Sequence, residues 1–228
     1  MKIGDVTLEW MGHDGFLISN GKRIAIDPYN VSDKVEKADV ILITHDHSDH
    51  CSIKDIQKLA KPGTIVVGIA HIQSAVMKVE GVQVQPIEVG DEVSFDDVVI
   101  EAVPAYCLNK YRDAEKKSLY HPKSEGYVGY VIKIGKVIIY HAGDTDVIPE
   151  MHKLTGYGKQ GNTFVALLPV SGTYVMSSDE AAEAASLLKP TFAIPMHYGS
   201  VVGTLEDAQK FAEICKEEGI RVEIMEKI

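Results

Sequence analysis

The sequence contains no stretch approaching the roughly 18 consecutive apolar residues that cross a bilayer. Its opening, MKIGDVTLEWMGHDG, lacks the apolar core of a signal peptide, so the expected compartment is the cytoplasm. Cysteine is scarce: Cys51, Cys107 and Cys215 lie far apart and form no CxxC pair, which removes a disulfide framework from consideration. Basic charge is outweighed, with 23 Lys and Arg against 33 Asp and Glu, and the formal net charge of −10 is the opposite of what a general nucleic-acid binder carries. There is no GxxxxGKS/T and no GxSxG, so P-loop and serine-hydrolase chemistry have no foothold. Internal repeats, low-complexity tracts and Pro/Ser-rich linkers are also missing, and residues 1–228 are expected to form a single domain.

What is present alternates between strand and helix signals. Phe16 to Ser19 and Lys22 to Ile26 flank Asn20-Gly21, which predicts a two-residue hairpin turn. The continuous run from Ala38 to Thr44, ADVILIT, predicts a strand covered on both faces. A short helix follows, with Ser52 as its cap and Pro62-Gly63 as its stop. Thr64 to Ala70 reads as another buried strand, and the alternation from Val82 to Val103 as an antiparallel meander. Residues 107–126 show no persuasive period and are expected to be a long surface excursion. Strands are predicted at Gly129 to Ile134, Val137 to Tyr140, Phe164 to Pro169 and Phe192 to Pro195. Ser177 with Glu180 forms a capping box for one late helix, and Thr204 caps another that ends at Gly219 and buries Cys215. Two sheets face to face with helices outside would satisfy this α/β pattern.

The densest chemistry lies in LITHDHSDHCS, residues 42 to 52. Burying so many protonatable groups is costly unless a cation compensates. In an extended chain His45, His47 and Asp49 point the same way, and a turn could swing His50 beside them. Neutral imidazoles and a carboxylate suit Zn²⁺, Mn²⁺, Fe or Ni²⁺, and a second ion about 3.5–4 Å away could share a hydroxide.

The segment THDHSDH resembles the THxHxDH signature of the metallo-β-lactamase superfamily. WMGHDGFLI and AIDPY upstream, YHAGDTD in the middle and PMHYG near the end follow in the family's order along nearly the whole chain. The set is similar to the ascorbate-phosphate-lactonase-like and UPF0173-like hydrolases. The resemblance implies a four-layer αββα sandwich, with His45 and His47 on a first metal, Asp49, His50 and His197 on a second, and Asp144 bridging them. Two divalent ions, zinc foremost with manganese, nickel or iron as alternatives, would then serve a metal-held hydroxide. Asp27 resembles the family aspartate that steadies the histidine-rich loop; it also reads as a plain Asp-Pro turn.

The chain departs from the family at Pro104-Ala105-Tyr106-Cys107, where close relatives often place a histidine after the aromatic residue. Cys107 could ligate as a thiolate or be a small buried residue. His121 and His13 are the other candidates for the gap, each with a supporting or substrate-binding role as its first expectation. His141 is expected to donate to a carboxylate or backbone carbonyl, and His71 and His152 to lie on the surface. Tyr106, Tyr198, Lys110 and Lys123 are candidates for holding a substrate, the lysines through a phosphate or carboxylate. Gly143 and Gly199 fit sharp turns beside ligands.

The favoured function is hydrolysis of a small ester, lactone or phosphodiester, with Asp49 orienting the nucleophile or accepting its proton. A non-catalytic metal-binding or redox-sensing module built on Cys107 is the alternative, and a nuclease stands further back. The expected partner is a small-molecule substrate, with no nucleic acid and no membrane span; self-association is left open.

Overall fold

Branched aliphatic residues separated by turn formers build the first sheet. The computed structural model describes residues 1–159 and 161–228, and its contacts divide into two compact units, Met1–Glu88 with Met225–Ile228, and Val89–Ile224.

In the first unit, β1 (Lys2–Ile3), β2 (Val6–Gly12), β3 (Gly15–Asn20), β4 (Lys22–Ile26), β5 (Val40–Ile43), β6 (Thr64–Gly68) and β7 (Val82–Pro86) lie side by side in chain order. β1 to β4 pair antiparallel and β4 to β7 parallel. The expected hairpin forms, but Ser19 pairs with Arg23 and Asn20 with Lys22, so Gly21 stands alone at the apex with φ +70°. The turn therefore spans three residues, with its left-handed position on the one residue that lacks a Cβ.

Every residue of β5, VILI, is buried, as a central parallel strand demands. Parallel neighbours need crossovers. α1 (Ile53–Leu59) links β5 to β6, and α2 (Gln73–Val76), preceded by a 3-10 turn at Ala70–Ile72, links β6 to β7. Ser52 caps α1 through its side chain, and the chain leaves the helix at Ala60, before Pro62. Asp55 is buried on that helix because it accepts the N–H groups of Asn30 and Val31 and the Ser52 hydroxyl. The expected meander forms only in part: Glu92–Phe95 and Val98–Pro104 pair antiparallel, but β7 pairs parallel with β6. Its alternation comes from its place at the sheet's edge, where one face stays wet, and not from antiparallel pairing.

The second unit holds a six-stranded sheet in the order β15-β14-β13-β12-β9-β8. β8 (Glu92–Phe95), β9 (Val98–Pro104), β12 (Val128–Ile134) and β13 (Val137–His141) pair antiparallel; β14 (Thr163–Pro169) and β15 (Phe192–Met196) continue parallel from β13. The stretch expected to be a long surface excursion carries a small antiparallel pair, β10 (Tyr111–Asp113) and β11 (Ser118–Leu119). Those strands are too short for a periodic signal. α3 (Ser178–Leu188) begins at the expected Ser177–Glu180 capping box and buries five residues besides Ser178, four of them alanines. α4 (Leu205–Glu217) buries Ala208, Phe211 and Cys215, leaving Leu205 exposed.

The chemistry-bearing residues sit just past the C-terminal ends of parallel strands. His45 follows β5, Asp144 follows β13 and His197 follows β15. Open α/β sheets place their ligands at such ends, where the chain leaves the ladder and its side chains are released from strand alternation.

Candidate metal centre

In the first unit the histidine-rich segment is a turn, not an extended chain. The His47 carbonyl accepts the N–H groups of His50 and Cys51 at 3.0 and 2.8 Å, which folds His50 back as expected. His45 Nε2 and His47 Nδ1 come within 3.0 Å of each other. Two nitrogens sharing one tetrahedral zinc at about 2.0–2.1 Å lie about 3.3–3.4 Å apart, so this spacing suits chelation.

Asp27 organises the turn. Its carboxylate accepts the Thr44 N–H at 2.9 Å, the Thr44 hydroxyl at 2.5 Å and His50 Nδ1–H at 2.8 Å. All three residues are buried, and Asp27 sits at φ +40°, in the left-handed region. The tautomers follow from this network. His50 gives its Nδ1 proton to Asp27 and so presents Nε2 as an acceptor. The Thr44 hydroxyl spends its proton on Asp27, so at 3.0 Å it receives one from His45 Nδ1, and His45 also presents Nε2. Such orientation of the far nitrogen is how proteins prepare a metal-binding imidazole.

Asp14 was missed by sequence reasoning. It is fully buried in the turn between β2 and β3, with Oδ2 3.5 Å from His50 Nε2. His13, Asp14 and His50 each offer a ligand atom within 4.8 Å of the others. His13, at φ +53°, also places Nε2 3.1 Å from Asp49 Oδ2. Asp49 in turn lies 3.8 Å from His50 Nε2 and keeps 19% of its side chain exposed. The HDG triplet reads as an ordinary turn; the available signal was its position opposite the histidine loop on a neighbouring strand end.

In the second unit Asp144 Oδ2 lies 3.1 Å from His121 Nε2 and 3.4 Å from His197 Nε2. His121 Nδ1 faces the Tyr174 carbonyl at 3.2 Å, which fixes its proton there and turns an acceptor nitrogen toward the carboxylate. An unprotonated nitrogen against a carboxylate oxygen is repulsive until a cation or a proton joins them. His121, expected in a supporting or substrate-binding place, is thus aimed at Asp144. His197, at φ +61°, sets Nδ1 2.9 Å from Ser171 Oγ. Gly143 and Gly199 turn the chain beside these groups at φ +63° and +72°, as expected.

Cys107 lies beside these groups as a buried thiol. Its thiol donates to the Tyr174 carbonyl at 3.1 Å, with Sγ 3.5 Å from His121 Nδ1. Burial, with the charges of Asp146 and Asp144, pushes that thiol well above its ordinary range. It therefore backs the same carbonyl that holds His121. His141 accepts the Gly143 N–H at Nδ1, 3.2 Å away, so its proton lies on Nε2, the nitrogen from which the expected donation would come.

Three residues expected to hold a substrate, Tyr106, Lys110 and Lys123, also contact carboxylates of the protein. The Tyr106 hydroxyl donates to Glu150 at 2.8 Å, and Lys123 pairs with Glu150 at 2.7 Å. Lys110 bridges Glu180 at 2.8 Å and Asp146 at 3.2 Å. Asp146 also accepts the N–H groups of Leu108 and Asn109, so the lysine neutralises a carboxylate that ties two loops together. Tyr198 is buried, which pushes its phenol up to about 12. His71 and His152 are exposed, as expected.

Comparison with known proteins agrees with this chemistry. Residues 7–197 match the family model described as a beta-lactamase superfamily domain. A UPF0173 metal-dependent hydrolase of Thermoplasma acidophilum is 32% identical over 95% of this chain and 94% of its own, and one from Archaeoglobus fulgidus is 30% identical over 96% and 94%. Among solved structures, a candidate metal-dependent hydrolase from Parabacteroides distasonis has a TM-score of 0.81 at 30% identity, covering 98% of this chain and 94% of that one. Igni18, a metallo hydrolase from Ignicoccus hospitalis, gives 0.74 at 26% identity over 97% and 95%. No helix among the described residues is long and apolar enough to cross a membrane. With family model, full-length relatives and fold in agreement, the chain belongs to the metallo-β-lactamase superfamily, among its UPF0173 metal-dependent hydrolases.

Proposed function

We propose that two divalent cations work here, with His45 and His47 as ligands of the first, Asp49, His50 and His197 of the second, and Asp144 shared. Asp14 joins the second set beside His50, and His121 joins Asp144. Zinc suits this donor set of imidazoles and carboxylates, which manganese, nickel and iron also accept. The reading is carried by one observation: His45, His50 and His121 each have Nδ1 committed to an oxygen of the protein, leaving Nε2 to present a lone pair.

Bound there, the metal would supply hydroxide near neutral pH and polarise the substrate oxygen. The rest falls to the protein. Asp49, partly open to solvent and next to His13, orients the nucleophile or takes its proton. Asp27 and Thr44 hold the histidine turn in one geometry before substrate arrives. The substrate is a small ester, lactone or phosphodiester, since attack on carbon or phosphorus needs only a nucleophile and a polarised oxygen. A redox-sensing module is disfavoured because the Cys107 thiol is buried and its ionisation suppressed.

Metal content of the purified protein, measured by mass spectrometry, followed by turnover of aryl esters, lactones and bis-p-nitrophenyl phosphate, tests the proposal. The expected result is hydrolysis of one class, lost on chelation and in Asp144→Ala. Metal-loaded protein that leaves the whole panel untouched would overturn the substrate class.

A further inference from the structure

A cavity of about 490 Å³ lies within the second unit, walled by β9, β12-side residues Gly126 and Tyr127, β13 and the 3-10 turn Pro149–Leu154. Its size falls in the range of small-molecule sites. Strand alternation separates it from the ligand residues: Tyr140, which lines it, pairs with Val131 and Ala166, whereas the next residue, His141, pairs with Tyr130 and Leu167 and so projects from the opposite face of the sheet.

Two features of the lining call for a ligand. Tyr140 is 1% exposed, yet its hydroxyl makes no hydrogen bond to any described residue. Lining the cavity, that hydroxyl is available to a guest that can bond it. The second feature is charge. Glu101 pairs with Lys133 at 2.9 Å, and Glu150 pairs with Lys123, so their charges are compensated. Lys153, exposed at the rim, has no ion-pair partner among the described residues and is the surplus cation. Val103, Ala105, Ile148, Met151 and Leu154 make most of the remaining wall apolar.

We propose that this cavity is a second ligand site, separate from the metal centre, that takes a small amphipathic monocarboxylate: the apolar body inside, with one polar group meeting the Tyr140 hydroxyl or the Lys153 ammonium. Decanoate is a suitable probe, with 1-decanol as its uncharged counterpart. In calorimetric titration the expected result is saturable decanoate binding that survives chelator treatment, weakens several-fold in Lys153→Met and in Tyr140→Phe, and disappears in Val103→Trp, whose indole fills the space. Decanol is expected to bind several-fold more weakly than decanoate and to be insensitive to Lys153→Met. Each variant's circular dichroism and melting temperature establish that it is folded; should Val103→Trp fail to fold, Ala105→Leu takes its place. Binding abolished by chelation would put the carboxylate on the metals and overturn the proposal, as would unchanged binding in the filled variant or no binding at millimolar probe.

Discussion

His50 hands its Nδ1 proton to Asp27 across 2.8 Å, with both side chains wholly withdrawn from solvent. One carboxylate thereby sets the tautomer of a candidate ligand and, through Thr44, the orientation of another. Asp27→Asn is predicted to separate these duties. The amide oxygen can still accept the Thr44 N–H, but an NH₂ facing His50 would force the imidazole proton onto Nε2, the nitrogen needed for the metal. Metal affinity should fall about 10- to 100-fold with a smaller loss of thermal stability than in Asp27→Ala, where three donors lose their acceptor. Metal titration and melting of both variants check this; equal affinity in wild type and Asp27→Asn would refute it.

Cys107→Ser is predicted to keep full metal stoichiometry, because serine retains a donor for the Tyr174 carbonyl. Cys107→Ala removes the donor and should cost about 0.5–1.5 kcal/mol, still with metal bound. The native thiol should also react very slowly with thiol reagents at pH 8, since burial keeps it protonated there. Sulfur in the first coordination shell by X-ray absorption would contradict all three expectations.

Local pattern was enough to locate β5, the capped helices and the HxHxDH turn, because each rests on residues adjacent in sequence. Asp14, Ser171 and Tyr174 escaped notice because their roles exist only after folding. Asp14 is one residue of an unremarkable turn until β3 and β5 bring it beside His50, and Tyr174 contributes a backbone carbonyl, which leaves no trace in side-chain identity. Cys107 was left open between a ligand and a small buried residue because its hydrogen bond to the Tyr174 carbonyl, 67 residues away in the chain, exists only after folding. β7 was mistaken for part of a meander because a half-exposed edge strand has the same period of two in a parallel sheet as in an antiparallel one.

Gly129 lies where β12 passes the end of β13. A Cβ there would sit 2.6 Å from the His141 carbonyl oxygen and 2.7 Å from that of Ala142, both backbone atoms with little room to yield. Gly129→Ala should therefore displace the strand end that leads to Asp144, costing about 1–3 kcal/mol and lowering metal affinity as well. Gly158→Ala is the control, since its nearest neighbour would be Phe164 Cβ at an ordinary 3.5 Å. Matching melting temperatures and affinities for the two variants would show that the close approach is relieved by a small shift.

Lys110 ties Asp146 and Glu180 together, and the pH dependence of that tie can be worked out in sign. Burial raises the Glu180 carboxyl, but hydrogen bonds from Lys110 and the Ser177 N–H outweigh it and hold Glu180 below its usual 4.5. Burial likewise lowers Lys110, but Glu180 and Asp146 together lift its ammonium above 10.5. The depressed carboxyl contributes stability that is complete above the ordinary glutamate range and lost as pH falls through its folded value; the raised ammonium contributes stability that is complete below 10.5 and lost as pH rises through its own. Lys110→Met should therefore be less stable than wild type by a constant margin between about pH 6 and 9, with the margin shrinking as acid protonates the carboxylates. Denaturant unfolding of both proteins across this range measures the margin directly. A gap that stayed fixed down to pH 3 would mean that Lys110 acts through the packing of its aliphatic stem, with its charge contributing nothing.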